Sequence, residues 1–230
     1  MQLFFSDNLE EEITLTNEEN RHITRVLRKK IGDNLFFTNG KGLLYTGEIT
    51  AIEKNTPKIE IIKKEKKEKI HNYYLHIAIA PTKNTNRFEW FLEKATEVGI
   101  DEITPILCER SERKKINQER CTRILISSMK QSLKYYLPKL NNPIVFNDFI
   151  KQKLDGDKFI AHCLNKDKIK LDKSINKKSN ILIGPEGDFS EKEITLAIKN
   201  NFQSLSLGNS RLRTETAGVI ATHSINRLYE

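Results

Sequence analysis

Apolar residues in this chain of 230 residues come in short runs whose texture changes near residue 70. Before that point, Leu3-Phe4-Phe5 predicts a first strand, and Asn34–Thr38, Gly42–Ile52 and Thr56–Ile62 predict three more. Asn39-Gly40, set between two of these runs, is a hairpin signal because both residues accept the left-handed backbone of a tight turn. Thr16 followed by Glu19 makes a capping box, opening a helix that should run to about Lys30 with Ile23, Val26 and Leu27 facing inward. Several short strands closing around one helix suggest a compact barrel over residues 1–70. The run Lys63-Lys64-Glu65-Lys66-Lys67-Glu68-Lys69 offers almost nothing to bury. It reads as a solvated strand end leading into a domain boundary.

From Tyr73 onward, strands alternate with helices. Tyr74–Ala80, Asp101–Leu107, Lys158–Cys163, Asn180–Ile183 and Ser204–Leu207 are expected strands. Asn86–Val98 is an expected helix with Phe88, Phe91, Leu92, Ala95 and Val98 on one face. Asn117–Leu137 is another, stopped by Pro138. Ser190 with Glu193 caps a third, and Glu215–Leu228 forms the last. This order predicts an α/β domain over residues 71–230, with a mostly parallel sheet covered by helices on both faces.

Composition narrows the class. Hydrophobic residues make up 37% and charged residues 30%, which fits a globular chain with a heavily solvated surface. No apolar run approaches the ~20 residues of a membrane span. The opening Met1-Gln2-Leu3-Phe4-Phe5 lacks the layout of a signal peptide, so a cytoplasmic protein with no membrane partner is expected. Cys108, Cys121 and Cys163 are odd in number and far apart, and no histidine pair has ligand spacing. Buried free thiols, with neither disulfides nor a metal, are the expectation. A net charge of +8 favours a polyanionic partner, since clustered Lys and Arg release counterions from phosphates.

The candidate chemistry sits late in the chain. Ile181-Leu182-Ile183 breaks into Gly184-Pro185-Glu186-Gly187, and the run ending at Leu207 breaks at Gly208. Two buried-type strands that end in glycine turns, each followed by a helix, predict a ligand site outside the carboxyl ends of the strands. The turn is neither a Walker loop nor G-x-G-x-x-G. Glu186, between glycines, is a candidate for proton handling. Thr214 reads as the N-cap of the last helix, and Glu215 complements its dipole. Arg211 and Arg213 stand at the positive end of that helix, where the dipole disfavours cations, and this points to an anionic partner or a developing oxyanion. Lys83 and Arg87 after one strand, and Arg110 and Arg113 after another, put more positive charge on the same side. Arg21, Arg25 and Arg28, four and three apart, share a helix face as a phosphate-contacting ridge.

Taken in order, these pieces resemble the RsmE family of SPOUT-class methyltransferases. The carriers are His22 with Val26-Leu27-Arg28, Glu93-Lys94-Ala95-Thr96-Glu97-Val98-Gly99 with Pro105, Glu109-Arg110-Ser111, Gln131-Ser132, Gly184-Pro185-Glu186-Gly187, and Leu207-Gly208 through Leu212-Arg213-Thr214-Glu215-Thr216-Ala217. The resemblance spans nearly the whole chain. It implies a PUA-like RNA-binding β-barrel at the N-terminus and a C-terminal SPOUT domain with a trefoil knot. It also implies a homodimer, and methylation of uridine N3 in 16S ribosomal RNA of the small subunit. S-adenosylmethionine would be held by loops around Cys163-Leu164, Ile183-Gly184-Pro185-Glu186-Gly187 and Leu207-Gly208 to Leu212, with Thr214. Arg213 would stabilise charge on the base, and Glu186 or Glu215 would accept its proton. The sequence departs from the family pattern at Asp188, where a second glycine is usual. It departs again at Asn209-Ser210-Arg211, where proline, arginine and isoleucine are usual, and at Lys134, which replaces an arginine. Two other readings share the basic surface: a catalytically silent RNA-binding or ribosome-assembly protein, and a SPOUT methyltransferase acting at another RNA position.

Overall fold

The computed structural model describes every residue except 7–12, 14, 165, 166 and 173. The chain divides into two compact units, Met1–Ile70 with Met129–Leu137, and His71–Ser128 with Pro138–Glu230.

In the first unit, strands β1 (Leu3–Phe5), β2 (Asn34–Thr38), β3 (Leu43–Glu53) and β4 (Thr56–Lys66) form one sheet in chain order. β1 runs parallel to β2, and the remaining pairs are antiparallel. The β3–β4 ladder shifts register between Thr46 and Gly47 and between Ile49 and Ala51, and such irregularities coil a long ribbon. The sheet buries Phe4, Leu35, Phe37, Tyr45 and Ile49 around Ile23. Most of the lysine-rich run is strand: β4 continues to Lys66, four residues beyond the expected end.

The first helix is shorter than its hydrophobic pattern suggests. Thr16 and Glu19 do form the capping box, but α1 (Asn17–Arg21) passes into a π-helical turn over His22–Val26 and stops well before Lys30. A π turn takes more residues per revolution, so Ile23 and Leu27 share the inner face. Val26, expected inside, is 66% exposed. Arg28 lies beyond the helix with φ +51°, so it does not continue a helical ridge with Arg21 and Arg25, although all three are exposed.

The second unit is built on a parallel sheet of seven strands. These are β5 (Tyr74–Ile79), β6 (Glu102–Leu107), β7 (Lys139–Leu140), β8 (Ile144–Val145), β9 (Asp157–Ala161), β10 (Lys178–Ile183) and β11 (Gln203–Leu205). Their order is β11-β9-β10-β5-β6-β7, with β8 also on β6. Helices α2 (Thr85–Val98) and α6 (Thr214–Tyr229) pack together on one face. Gly218 allows this approach, because a Cβ there would lie 2.6 Å from the Phe91 ring. The other face carries α4 (Phe146–Phe149) and α5 (Glu191–Lys199), whose Phe146, Phe149, Ile194 and Ala197 bury Ala78, Ile160 and Leu182. β11 lies at the sheet edge, whereas α6 packs against β5 and β10. Residues 206–213 therefore run back across the strand ends.

Helix α3 (Gln118–Gln131) ends six residues short of the expected Leu137. Leu133 there takes φ +53°, and the Lys134 N–H donates to the Met129 carbonyl at 3.0 Å, which closes the helix before Pro138 can. β7, β8 and α4 were not readable from periodicity, because runs of two to four residues carry no period.

Beneath the sheet's α4 face, buried His76 joins Asn180 Oδ1 at 3.3 Å and Thr104 Oγ1 at 2.7 Å. Asn141 donates to Thr104 Oγ1 at 2.7 Å and to Glu102 Oε1 at 2.6 Å. Asn180, His76 and Glu102 are register partners across β10, β5 and β6, and Thr104 lies two residues further along β6. Burial pushes the His76 pKa down. Burial alone would raise the Glu102 carboxyl, but hydrogen bonds from Asn141, Tyr74 and Lys139 outweigh it and hold the group at about 2.

Candidate functional site

The loops that follow β9, β10 and β11 meet the start of α6 around a cavity of about 660 Å³. That size lies in the ~300–1,000 Å³ range of small-molecule sites. Cys163, Ile183, Gly184, Pro185, Glu186, Leu207, Gly208, Leu212, Arg213 and Thr214, all named above as candidate site residues, line it. Ser210 and Arg211, inside the expected Leu207-to-Leu212 loop, line it as well, and so do Lys168 and Asp188, which sequence reasoning did not assign there. Three expected residues lie outside the lining. Leu164 packs half-buried against the α4–α5 core. Gly187 turns its carbonyl to Arg110 Nη1 at 2.9 Å. Glu215 is buried on α6, with Oε1 3.7 Å from Arg87 Nε and Oε2 without a hydrogen-bond partner.

The loop from Gly184 to Asp188 is tied to four other segments. The Lys83 amide donates to Glu186 Oε1 at 2.8 Å. Arg110 reaches Gly187 from the loop after β6. The Cys163 amide, from the loop after β9, donates to Asp188 Oδ2 at 2.8 Å. The Thr214 hydroxyl donates to the Gly184 carbonyl at 3.0 Å. Gly184 sits close to its neighbour, since a Cβ there would lie 3.0 Å from the Phe189 ring, which would have to give by a few tenths of an ångström. Gly208 meets nothing within 4 Å but has φ +114°, a conformation open chiefly to glycine.

Thr214 corrects one expectation. It is the first residue of α6, not its cap. Arg213 holds the cap position and makes no side-chain cap bond, and the threonine hydroxyl is spent on the loop instead. The extended backbone at Arg213 leaves its guanidinium exposed at the cavity rim.

The basic residues after β5 and β6 lie close together, as expected, but most are tethered. Arg113 Nε donates to the Thr82 carbonyl at 3.1 Å, and Nη2 donates to the Lys83 carbonyl at 2.7 Å. Lys83 Nζ pairs with Glu112 at 2.8 Å. Glu193 ties the start of α5 to the loop after β6, accepting from the Glu109 and Ser190 amides at 2.8 Å each.

Among the cysteines, Cys108 and Cys121 are buried as expected, whereas Cys163 is exposed. Burial pushes the Cys121 thiol up to about 11 and raises that of Cys108 as well, which makes both poor nucleophiles. Among the described residues, no helix is long and apolar enough to cross a membrane, and no cluster of three or more His, Cys, Asp or Glu could hold a metal.

Comparison with known proteins gives a consistent picture. The profile of the RNA methyltransferase domain matches residues 69–226, and that of the RNA methyltransferase PUA domain matches residues 15–62. Ribosomal RNA small subunit methyltransferase E of Buchnera aphidicola (subsp. Acyrthosiphon pisum) is 30% identical over 99% of this chain and 93% of its own length. A protein described as a probable rRNA-methyltransferase from Porphyromonas gingivalis superposes with a TM-score of 0.93 at 38% identity, over 100% of this chain and 98% of that one. Ribosomal RNA small subunit methyltransferase E of Neisseria gonorrhoeae, bound to S-adenosyl methionine, superposes with a TM-score of 0.85 at 26% identity, with the same coverage.

Proposed function

This chain belongs to the ribosomal RNA small subunit methyltransferase E family of RNA methyltransferases, and from that membership we propose that it methylates N3 of a uridine in 16S ribosomal RNA, using S-adenosylmethionine. The observation that carries the reading is the convergence of three strand-end loops on one cavity, with Arg213 at its rim.

The lining suits the cofactor. Ile183, Leu205, Leu207, Leu212 and Ala217 offer apolar contact for a flat base, and main-chain groups of the loops are at hand for its edges. The carboxylates of Glu186 and Asp188 favour a cation, and Lys168 offers a partner for an amino-acid carboxylate. When bound, the cofactor supplies an activated methyl group on a sulfonium that leaves as a neutral thioether. The protein positions the base, excludes water and manages one proton. N3 lies on the pairing edge of uridine, so the base enters unpaired. Loss of the N3 proton spreads charge onto the two neighbouring carbonyl oxygens, where Arg213 stabilises it. Glu186, in the cavity wall, is the better proton acceptor. Glu215 faces Arg87 outside the lining.

Arg21, Arg25 and Arg28, exposed on the first unit, are assigned to RNA in this reading together with Arg87, whereas Lys83, Arg110 and Arg113 serve first to hold the strand-end loops. The trefoil knot is part of it, supported by the return of residues 206–213 from the edge strand to α6. A homodimer and a cytoplasmic setting follow from family membership and a ribosomal substrate. Mass spectrometry of 16S ribosomal RNA from a strain lacking the gene tests the whole reading. Loss of one N3-methyluridine, restored by this chain, is the expected result. An unchanged modification profile would refute it. Calorimetry with S-adenosylmethionine separates it from a silent RNA-binding protein, which would give no heat.

A further inference from the structure

Asp188 is the least expected residue of the cavity wall. Its backbone is left-handed, with φ +62°, a region that L-residues enter sparingly and Asp tolerates better than most. Its own amide donates to the Pro185 carbonyl at 2.9 Å, which closes the turn. Both side-chain oxygens are then used on backbone amides. Oδ1 accepts from Phe189 N–H at 2.8 Å, and Oδ2 accepts from Cys163 N–H at 2.8 Å. The first bond is local, but the second spans 25 residues and joins the loop after β9 to the loop after β10.

We infer that Asp188 is a positioning residue for the cofactor cavity: its carboxylate clasps the two loops together and sets the width of the cleft between them. The inference rests on the cofactor reading of the cavity and extends it. Glycine at this position would relax the backbone but leave the Cys163 amide without its acceptor. A carboxylate accepting two amides is a charge-assisted bridge, stronger than a neutral one. The loop after β9 opens a stretch without a named helix or strand among its described residues, reaching to β10. Other ties of this loop near the cavity include the Lys168 ammonium on the His162 carbonyl at 2.6 Å, His162 Nε2 with Ser204 Oγ at 3.0 Å and the isolated bridge of Ile169 to Leu205. These hold that loop to itself or to β11, whereas the Asp188 bond reaches the loop after β10.

The test uses the full chain with Asp188→Gly, Asp188→Ala and Asp188→Asn. The first readout needs no cofactor: amide hydrogen exchange at Cys163 in the free protein. Exchange should accelerate about tenfold or more in the glycine and alanine variants, as expected for loss of a hydrogen bond to a charged acceptor. The melting temperature of the glycine variant should stay near that of the parent, because the left-handed turn suits glycine. The second readout is calorimetric affinity for S-adenosylmethionine. It should fall about tenfold in the glycine and alanine variants and be partly recovered in Asp188→Asn, which keeps one carbonyl acceptor. Unchanged exchange at Cys163 in Asp188→Gly would overturn the clasp. Faster exchange with unchanged affinity would overturn its role in positioning. If the parent protein itself gives no heat, the cofactor reading falls instead, and the exchange readout still decides whether the clasp exists.

Discussion

Arg113 and Arg25 carry the same guanidinium, and both read from the sequence as contacts for a polyanion, but their surroundings are opposite. Arg113 is half-buried and laid across the carbonyls of Thr82 and Lys83. With Lys83 on Glu112 and Arg110 on Gly187, it belongs to a lattice that holds the strand-end loops in place. Arg21, Arg25 and Arg28 are exposed and have no ion-pair partner among the described residues. Arg211 and Arg213 at the cavity rim are free in the same sense. A tethered cation stabilises the scaffold and has few donors left for phosphate. An untethered one costs the scaffold nothing and keeps all five donors for a ligand. Charge density along the chain does not distinguish the two classes.

The sharpest way to break this contrast is Arg213→Ala. Methyl transfer should fall roughly 10²–10³-fold, as for the loss of one group that stabilises developing charge, while calorimetric affinity for S-adenosylmethionine changes little. Equal losses in both would make Arg213 a binding residue. Arg113→Ala should behave differently, costing about 1–2 kcal/mol in chemical denaturation, chiefly through the part-buried Thr82 carbonyl left without its donor. The salt dependence of RNA binding should hardly move in that variant. A changed salt slope with unchanged stability would put Arg113 in the free class. Alanine at Arg21, Arg25 or Arg28 should leave stability within about 0.5 kcal/mol. Each such substitution should reduce the slope of log affinity against log salt by about 0.7 for single-stranded RNA.

The smallest effect concerns pH and lies away from the cations. Burial depresses the folded-state pKa of His76 below its ordinary 6.5. Below that pH the unfolded chain binds the extra proton first, so stability should decline as pH falls from 7 toward 5. Glu102 has the opposite charge type: its folded pKa is about 2 against an ordinary 4.5. Its contribution is intact above 4.5 and fades only as pH drops toward 2. Denaturant midpoints measured across this range should therefore decline in two separate windows. The upper decline should vanish in His76→Gln, and its survival there would assign the titration to another group.

The sequence exposed the site better than its fastenings. Ile181-Leu182-Ile183 before Gly184 is a buried strand stopped by a turn, and its consequence, a loop lining a cavity, could be read directly. Both capping boxes formed as written, at Thr16 and Ser190, because they are local. Asp188 gave no such signal. Its carboxylate acts on an amide 25 residues away, and only the folded loops bring the two together. Thr214 misled for a related reason: at a helix start a hydroxyl usually caps, but here a carbonyl from another strand end competes for it and wins. The α1 pattern failed because a single π turn shifts the inward positions, and the apolar stripe alone cannot tell one helical pitch from another.

One feature of the chain's layout bears on how it is made. Residues 129–137 belong with the first unit: the Gly42 amide donates to the Tyr135 carbonyl at 2.8 Å, Tyr136 OH donates to the Lys67 carbonyl at 3.2 Å, and Lys130 pairs with Glu19 at 3.3 Å. A nascent chain leaving the ribosome cannot complete its amino-terminal body until well over half of its length has been translated. By then β5, α2 and β6 have already emerged. The protein must hold two unfinished bodies at once, and a fragment cut at the lysine-rich boundary would lack a piece of its own architecture.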